Sequence, residues 1–184
     1  MQGPLQQALP EALLVAIDAP ARTADGGGQW FAVEGLDASA ASYRLEEARS
    51  MFDAVLGQSI EANGFSDRLE AVALVCFSQG ADMVLDALLT ARWNVGAAVC
   101  VAGRLLTADE GRGPVRTRSL LIHGDGDEII PSDASARAAE TLRARNIDVQ
   151  LCLLPGGRHE VSPVAIEMAA RFLHDHFSGQ HSVQ

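Results

Sequence analysis

Cations, aromatics and long apolar runs are all scarce in this chain. Fourteen Lys and Arg stand against 24 Asp and Glu, for a formal net charge of −10. Polyphosphate and anionic lipid surfaces repel such a field, so nucleic acid and membrane headgroups are excluded as partners. No apolar stretch exceeds strand length, which excludes a membrane span. The residues from Met1 to Pro10 lack the basic and apolar regions of a secretory signal, so the expected location is cytoplasmic. Cysteine is rare as well: Cys76, Cys100 and Cys152 are an odd number in three separate apolar runs. They read as small core residues in a reducing compartment, without a disulfide framework or metal ligation.

What remains is a chain of 184 residues, about half of them apolar, with charges spread thinly. That suits one soluble globular domain over 1–184. Apolar runs at Ala12–Ile17, Ala71–Cys76, Gly96–Ala102, Ser119–Ile122 and Val149–Leu154 are expected as strands. They are rich in Val, Leu, Ile and Cys without strict alternation, as strands buried on both faces of a parallel sheet are. Helical spacing lies between them. Leu45, Ala48, Phe52, Val55 and Leu56 share one face, and Asn63-Gly64 supplies a left-handed stop. Helices are also expected over 81–92 and 133–145, the latter capped by Ser132, and after the Ser162-Pro163 start. Val164, Met168, Ala169, Phe172 and Leu173 give that last helix its apolar stripe, and 179–184 reads as a frayed tail. Alternating strands and helices imply an α/β fold, a mainly parallel sheet with helices on both faces. A loop from Pro20 to Leu36 carries Gly26-Gly27-Gly28, which matches no dinucleotide or phosphate-loop fingerprint.

Three strand ends carry the chemistry. Ser78, in Cys76-Phe77-Ser78-Gln79-Gly80, falls between a buried strand and a helix. There a sharp strained turn lifts the hydroxyl above the sheet and aims the helix start at it, so the Gln79 backbone N–H can stabilise an oxyanion. A serine at that place is just as ordinarily a helix cap. Asp127 closes the acidic turn His123-Gly124-Asp125-Gly126-Asp127 at the next-to-last strand's end, where α/β sheets bind ligands. His159 closes Pro155-Gly156-Gly157-Arg158-His159 after the last strand. Serine needs a histidine to take its proton, and the histidine needs a carboxylate to fix its tautomer. Ser, Asp, His is the chain order of α/β-hydrolases. Asp125 is expected as a turn former, with the acid's role as its alternative, and His123 is expected to pack or hydrogen-bond beneath the acid turn. His174 and His176 read as surface residues, Met51 and Met83 as core fillers, and Trp93 as a plug at its helix end.

With these motifs, the chain resembles the phospholipase/carboxylesterase family of α/β-hydrolases, which includes bacterial carboxylesterases and acyl-protein thioesterases. The resemblance runs from near residue 4 to near residue 177. It rests on Phe77-Ser78-Gln79-Gly80-Ala81, Val15-Ala16-Ile17-Asp18-Ala19-Pro20, Gly28-Gln29-Trp30-Phe31, His123 to Asp127 and the turn at His159. It implies Ser78 as nucleophile, Asp127 as acid and His159 as base, with Gln29, Trp30 and Phe31 near the substrate pocket. It implies a serine hydrolase that cleaves carboxylic esters or thioesters through an acyl-enzyme. Small acyl esters are the expected substrates, with lysophospholipids and acyl thioesters as further candidates. No metal or organic cofactor is implied, and a homodimer is left open. The family's first strand and its His-Gly-x-Gly loop, source of a second oxyanion donor, have no counterpart in residues 1–184. The alternative reading is therefore a catalytically weak or silent α/β-hydrolase scaffold acting as a binding protein.

Overall fold

The computed structural model describes residues 2–23, 26–33, 35, 38–107, 111 and 113–180. Its centre is a sheet of four parallel strands in sequence order: β3 (Ala73–Phe77), β4 (Ala97–Val101), β5 (Arg118–Gly124) and β6 (Val149–Leu154). Ahead of the sheet lie α1 (Gln2–Ala8), a two-residue hairpin β1 (Ala21–Arg22) and β2 (Gly28–Gln29), and α2 (Ala38–Ala62). α3 (Gln79–Leu89), α4 (Asp133–Ala144) and α5 (Pro163–Gln180) follow β3, β5 and β6.

The strands are apolar on both faces because both are covered. Leu74, Cys76, Ala98, Cys100 and Leu121 face a core built with α2, α3 and α4. Val75, Val99, Val101, Leu120 and Ile122 face a second core built with α1 and α5. Leu45, Ala48, Phe52 and Leu56 of α2 are buried, Val55 is half-buried, and Gly64 at φ +75 ends the chain's helical course as its sequence predicts. Between α2 and α3 the fully buried Asp86 accepts two hydrogen bonds from Arg49 and one from Arg92. Those cations supply the pairing that a buried carboxylate needs. Trp93 closes the end of α3 by donating to Asp53 Oδ1 across 2.7 Å.

Ala12–Ile17 departs from the expected strand. Among the described residues it belongs to no ladder, and a strand exists only where a neighbouring edge takes its amides. Leu13, Val15 and Ile17 stay exposed, and an apolar-walled cavity of about 700 Å³ separates this segment from β3. Three smaller expectations also change. Met51 is 50 % exposed and Val164 is 54 % exposed, so neither fills a core, whereas Met83 is fully buried. Ser132 does not cap α4: it is itself helical, and the Pro131 carbonyl takes the Ala134 N–H instead. Ser162 does cap α5, accepting the Ala165 N–H at 3.2 Å. Residues 179–180 continue α5, and 181–184 lie outside the described residues. Cys100 is buried, Cys76 and Cys152 are half-buried, and all three are free thiols.

Candidate active site

Ser78 sits where β3 turns into α3, at φ 52 and ψ −121. A non-glycine residue in that region is strained, and the surroundings must enforce it. They do so from both sides: the Ser78 N–H donates to the Val101 carbonyl of β4, and the Ser78 carbonyl accepts the Asp82 N–H to open α3. The side chain makes no cap hydrogen bond, so the helix-cap alternative does not hold. Its hydroxyl instead lies 2.9 Å from His159 Nε2. Gln79 begins the helix, so its N–H has no preceding carbonyl in the helical ladder to meet.

The acid and base turns are knitted backbone to backbone. The Asp125 N–H donates to the Leu154 carbonyl and the Gly126 N–H to the Gly157 carbonyl, both at 3.0 Å. Asp125 Oδ1 accepts the Gly156 N–H at 2.6 Å, so this residue ties the two turns together. A Cβ on Gly124 would run into the Gly157 carbonyl, and one on Gly157 would stand 2.9 Å from Gly124 Cα. Gly124→Ala is accordingly expected to lower the unfolding free energy by about 3 kcal/mol, read from urea denaturation.

The knitting brings His159 against Asp127. His159 Nδ1 lies 2.8 Å from Asp127 Oδ2, and the imidazole rests on Phe77 with ring centroids 4.9 Å apart. A carboxylate only accepts, so Nδ1 carries the proton and Nε2 is free to accept from Ser78. Asp127 Oδ1 takes the N–H groups of Ile129 (2.8 Å) and Ile130 (2.9 Å). Burial pushes this carboxyl up, yet the N–H groups of Ile130, His159 and Ile129 outweigh it and hold it below the usual carboxylate range.

Of the expected pocket residues, Trp30 lines the cavity, which also reaches Ser78 and Gln79. Phe31 is buried in the core, and Gln29 ends β2, half-buried beside the cavity's Gly28. The Gln79 side chain, whose role the sequence did not reveal, clamps this loop: Oε1 accepts the Trp30 N–H at 2.6 Å and Nε2 donates to the Phe31 carbonyl at 2.7 Å. His174 is exposed and His176 half-buried on α5, away from the site. Among the described residues, no group of three or more His, Cys, Asp or Glu is placed to hold a metal ion.

Asp82, in the first turn of α3, is fully buried and also went unread in the sequence. Its oxygens accept the Arg104 backbone N–H (2.8 Å) and Nε–H (3.2 Å), which ties the loop after β4 to the nucleophile's helix. Burial pushes its carboxyl up to about 6 against the pull of Arg104. Between the unfolded value near 4 and the folded value near 6, the native state binds this proton more tightly. Stability from Asp82 is therefore expected to fall as pH rises through that window, by on the order of 2–3 kcal/mol in total. Asp82→Asn is expected to remove that slope from denaturation curves measured at pH 4 and pH 7.

The sequence profile of the phospholipase/carboxylesterase family matches residues 9–177. Esterase YpfH of Escherichia coli is 26% identical over 161 residues, covering 87% of this chain and 68% of that protein. Acyl-protein thioesterase 1 of Gibberella zeae is 26% identical over 136 residues, covering 70% of this chain; the match spans 57% of the thioesterase. Among solved structures, esterase PE8 superposes with a TM-score of 0.80 at 26% identity, covering 92% of this chain and 81% of its own. A Bacillus cereus carboxylesterase superposes with a TM-score of 0.78 at 15% identity, covering 95% and 81%, a likeness of fold. No helix among the described residues is long and apolar enough to cross a membrane. With its parallel sheet and the family match over nearly its whole length, the chain belongs to the phospholipase/carboxylesterase family of α/β-hydrolases and is a hydrolase enzyme of that family.

Proposed function

We propose that this protein, as one domain over 1–184, cleaves small carboxylic esters or thioesters through an acyl-enzyme on Ser78, with His159 as base and Asp127 as acid. One observation carries the reading: Ser78 Oγ, His159 Nε2 and Nδ1, and Asp127 Oδ2 form a continuous line of hydrogen bonds at 2.9 and 2.8 Å. Three residues far apart in sequence meet there in the one order that activates a serine. The cavity beside Ser78 and Trp30, walled by apolar side chains, suits an acyl or alcohol group.

In the first step Ser78 Oγ attacks the carbonyl carbon while His159 Nε2 takes its proton. The new oxyanion lies toward the Gln79 N–H and the positive end of α3, whose pull on it strengthens as the charge develops. Collapse expels the alcohol or thiol with the proton from His159 and leaves an ester on Ser78. Water, deprotonated by the same histidine, then releases the acid. Asp127 holds the proton of His159 on Nδ1 throughout and balances the imidazolium that forms twice per turnover.

The test is acyl trapping. Rapid acid quench after mixing with a nitrophenyl acetate excess should leave one acetyl group on the peptide that contains Ser78. Acetyl trapped on another side chain would rule the reading out, and the absence of both nitrophenol release and protein-bound acetyl would favour the silent scaffold.

A further inference from the structure

His123, near the C-terminal end of β5, is fully buried, and polar atoms close on both of its ring nitrogens. Nδ1 lies 2.7 Å from Ser135 Oγ on α4. Nε2 lies 2.8 Å from the Ile130 carbonyl oxygen and 3.2 Å from Asp127 Oδ2. Ser135 Oγ is also 2.8 Å from the Gly103 carbonyl oxygen. A hydroxyl has one proton, and a carbonyl only accepts. Ser135 therefore donates to Gly103 and turns a lone pair toward Nδ1. The Ile130 carbonyl and the Asp127 carboxylate only accept as well, so both ring nitrogens face acceptors.

A neutral imidazole has a single N–H and cannot meet that arrangement. With the proton on Nε2, Nδ1 needs the Ser135 hydrogen, and Ser135 Oγ then stands 2.8 Å from the Gly103 oxygen with nothing between them. With the proton on Nδ1, the Nε2 lone pair points at a carbonyl 2.8 Å away and at a carboxylate. Turning the ring over puts carbon atoms where the nitrogens now lie, 2.7 and 2.8 Å from oxygen. Ordinary C–H···O contacts are about 3.3 Å or longer. The doubly protonated ring alone supplies a hydrogen to every contact.

We propose that His123 is a buried imidazolium that positions Asp127, anchored on its far side by Ser135 and the Gly103 carbonyl. A buried cation persists when it is paired and its protons are all bonded, and both conditions hold here. Asp127 is the charged group in hydrogen-bond contact with the ring. Beyond it lie His159, the Asp82–Arg104 pair past Gly103, Asp133 at the start of α4, and Asp125, Glu128 and Arg158 on the exposed turns. With Oδ1 held by two backbone amides, Oδ2 is fixed between two rings and aimed at His159. The charge on His123 also offsets part of the field that Asp127 exerts on His159. The kinetic consequence rests on the proposed triad, whereas the protonation state follows from the contacts alone.

The experiment is a long-range proton–nitrogen correlation of the ¹⁵N-labelled full chain at pH 7.5, with His123 assigned by loss of its signals in His123→Gln. Among the five histidines, His123 is expected to show both ring nitrogens protonated. An unprotonated ring nitrogen on His123 at that pH overturns the proposal, whether or not the protein hydrolyses esters. Ser135→Ala keeps the ring but removes its Nδ1–H acceptor, and is expected to return His123 to one ring proton. The acid limb of kcat/KM for a nitrophenyl ester should then move to higher pH, with plateau kcat falling less than about tenfold. A lowered plateau with an unmoved limb would mean that His123 acts by packing alone and overturns the charge-based role. If the triad reading itself fails, no ester turnover is seen, and the ring-proton count still decides the state of His123.

Discussion

Asp127→Asn is expected to lower kcat for a nitrophenyl ester by on the order of 10⁴, while Asp125→Asn lowers it by less than about tenfold. Asp127 Oδ1 accepts the Ile129 and Ile130 amides, so the oxygen of an asparagine has to take that side. Its NH₂ then faces His159 Nδ1, where the carboxylate oxygen stood 2.8 Å away. Two donors in contact repel, so His159 would move its proton to Nε2 and lose the lone pair that accepts from Ser78. Geometry survives and chemistry does not. Asp125 is exposed, and the one hydrogen bond its Oδ1 accepts, from the Gly156 amide, is equally available to an asparagine oxygen. Steady-state rates of the two variants decide between the carboxylates, and equal losses would contradict the assignment of Asp127.

Ser78→Ala is expected to lower kcat further, by on the order of 10⁵ or more. The residual rate would come from the helix start and from binding, neither of which needs the hydroxyl. Stability should move by less than about 1 kcal/mol. The Ser78 hydroxyl caps nothing and, among the described residues, hydrogen-bonds to His159 alone, and alanine meets the same backbone strain at φ 52 that serine already bears. A protein that unfolds as the wild type does but has lost turnover separates a chemical role from a structural one. Wild-type turnover in Ser78→Ala would remove the nucleophile from the account.

Much of the sheet was legible because a strand covered on both faces reads as an uninterrupted apolar run. Val149–Leu154 appears as β6 with the bounds its composition implies, and β3, β4 and β5 fall within a few residues of their runs. The strand–turn–helix around Ser78 was legible for the same reason, and so was the succession of turns that carry Asp127 and His159. Ala12–Ile17 has the same composition yet forms no strand, since composition reports burial tendency and says nothing of whether an edge is there to pair with. Met51 and Val164 sit at the margins of their helices' apolar stripes, where a single step around the helix separates core from solvent. Ser132 offers a side-chain cap, but a backbone turn from Pro131 reaches the same amides first. The Gln79 side chain and Asp82 gave no signal in the chain, and His123, expected to pack or hydrogen-bond beneath the acid turn, did so with partners that the chain did not name. Their partners are 22 to 49 residues away in the first two cases, and on the next helix and turn in the third. Only the folded chain brings a glutamine against Trp30 or a serine of α4 against His123.

The most direct measurement of the central claim is the intact mass of the protein after brief exposure to a fluorophosphonate, with the adduct located by peptide mapping. Such a reagent phosphonylates a serine whose proton is being drawn to a histidine and leaves ordinary hydroxyls alone. One adduct per chain, on Ser78, lost in both Ser78→Ala and His159→Gln, is the expected result. A folded protein that takes up no reagent, or takes it up elsewhere, would contradict the account.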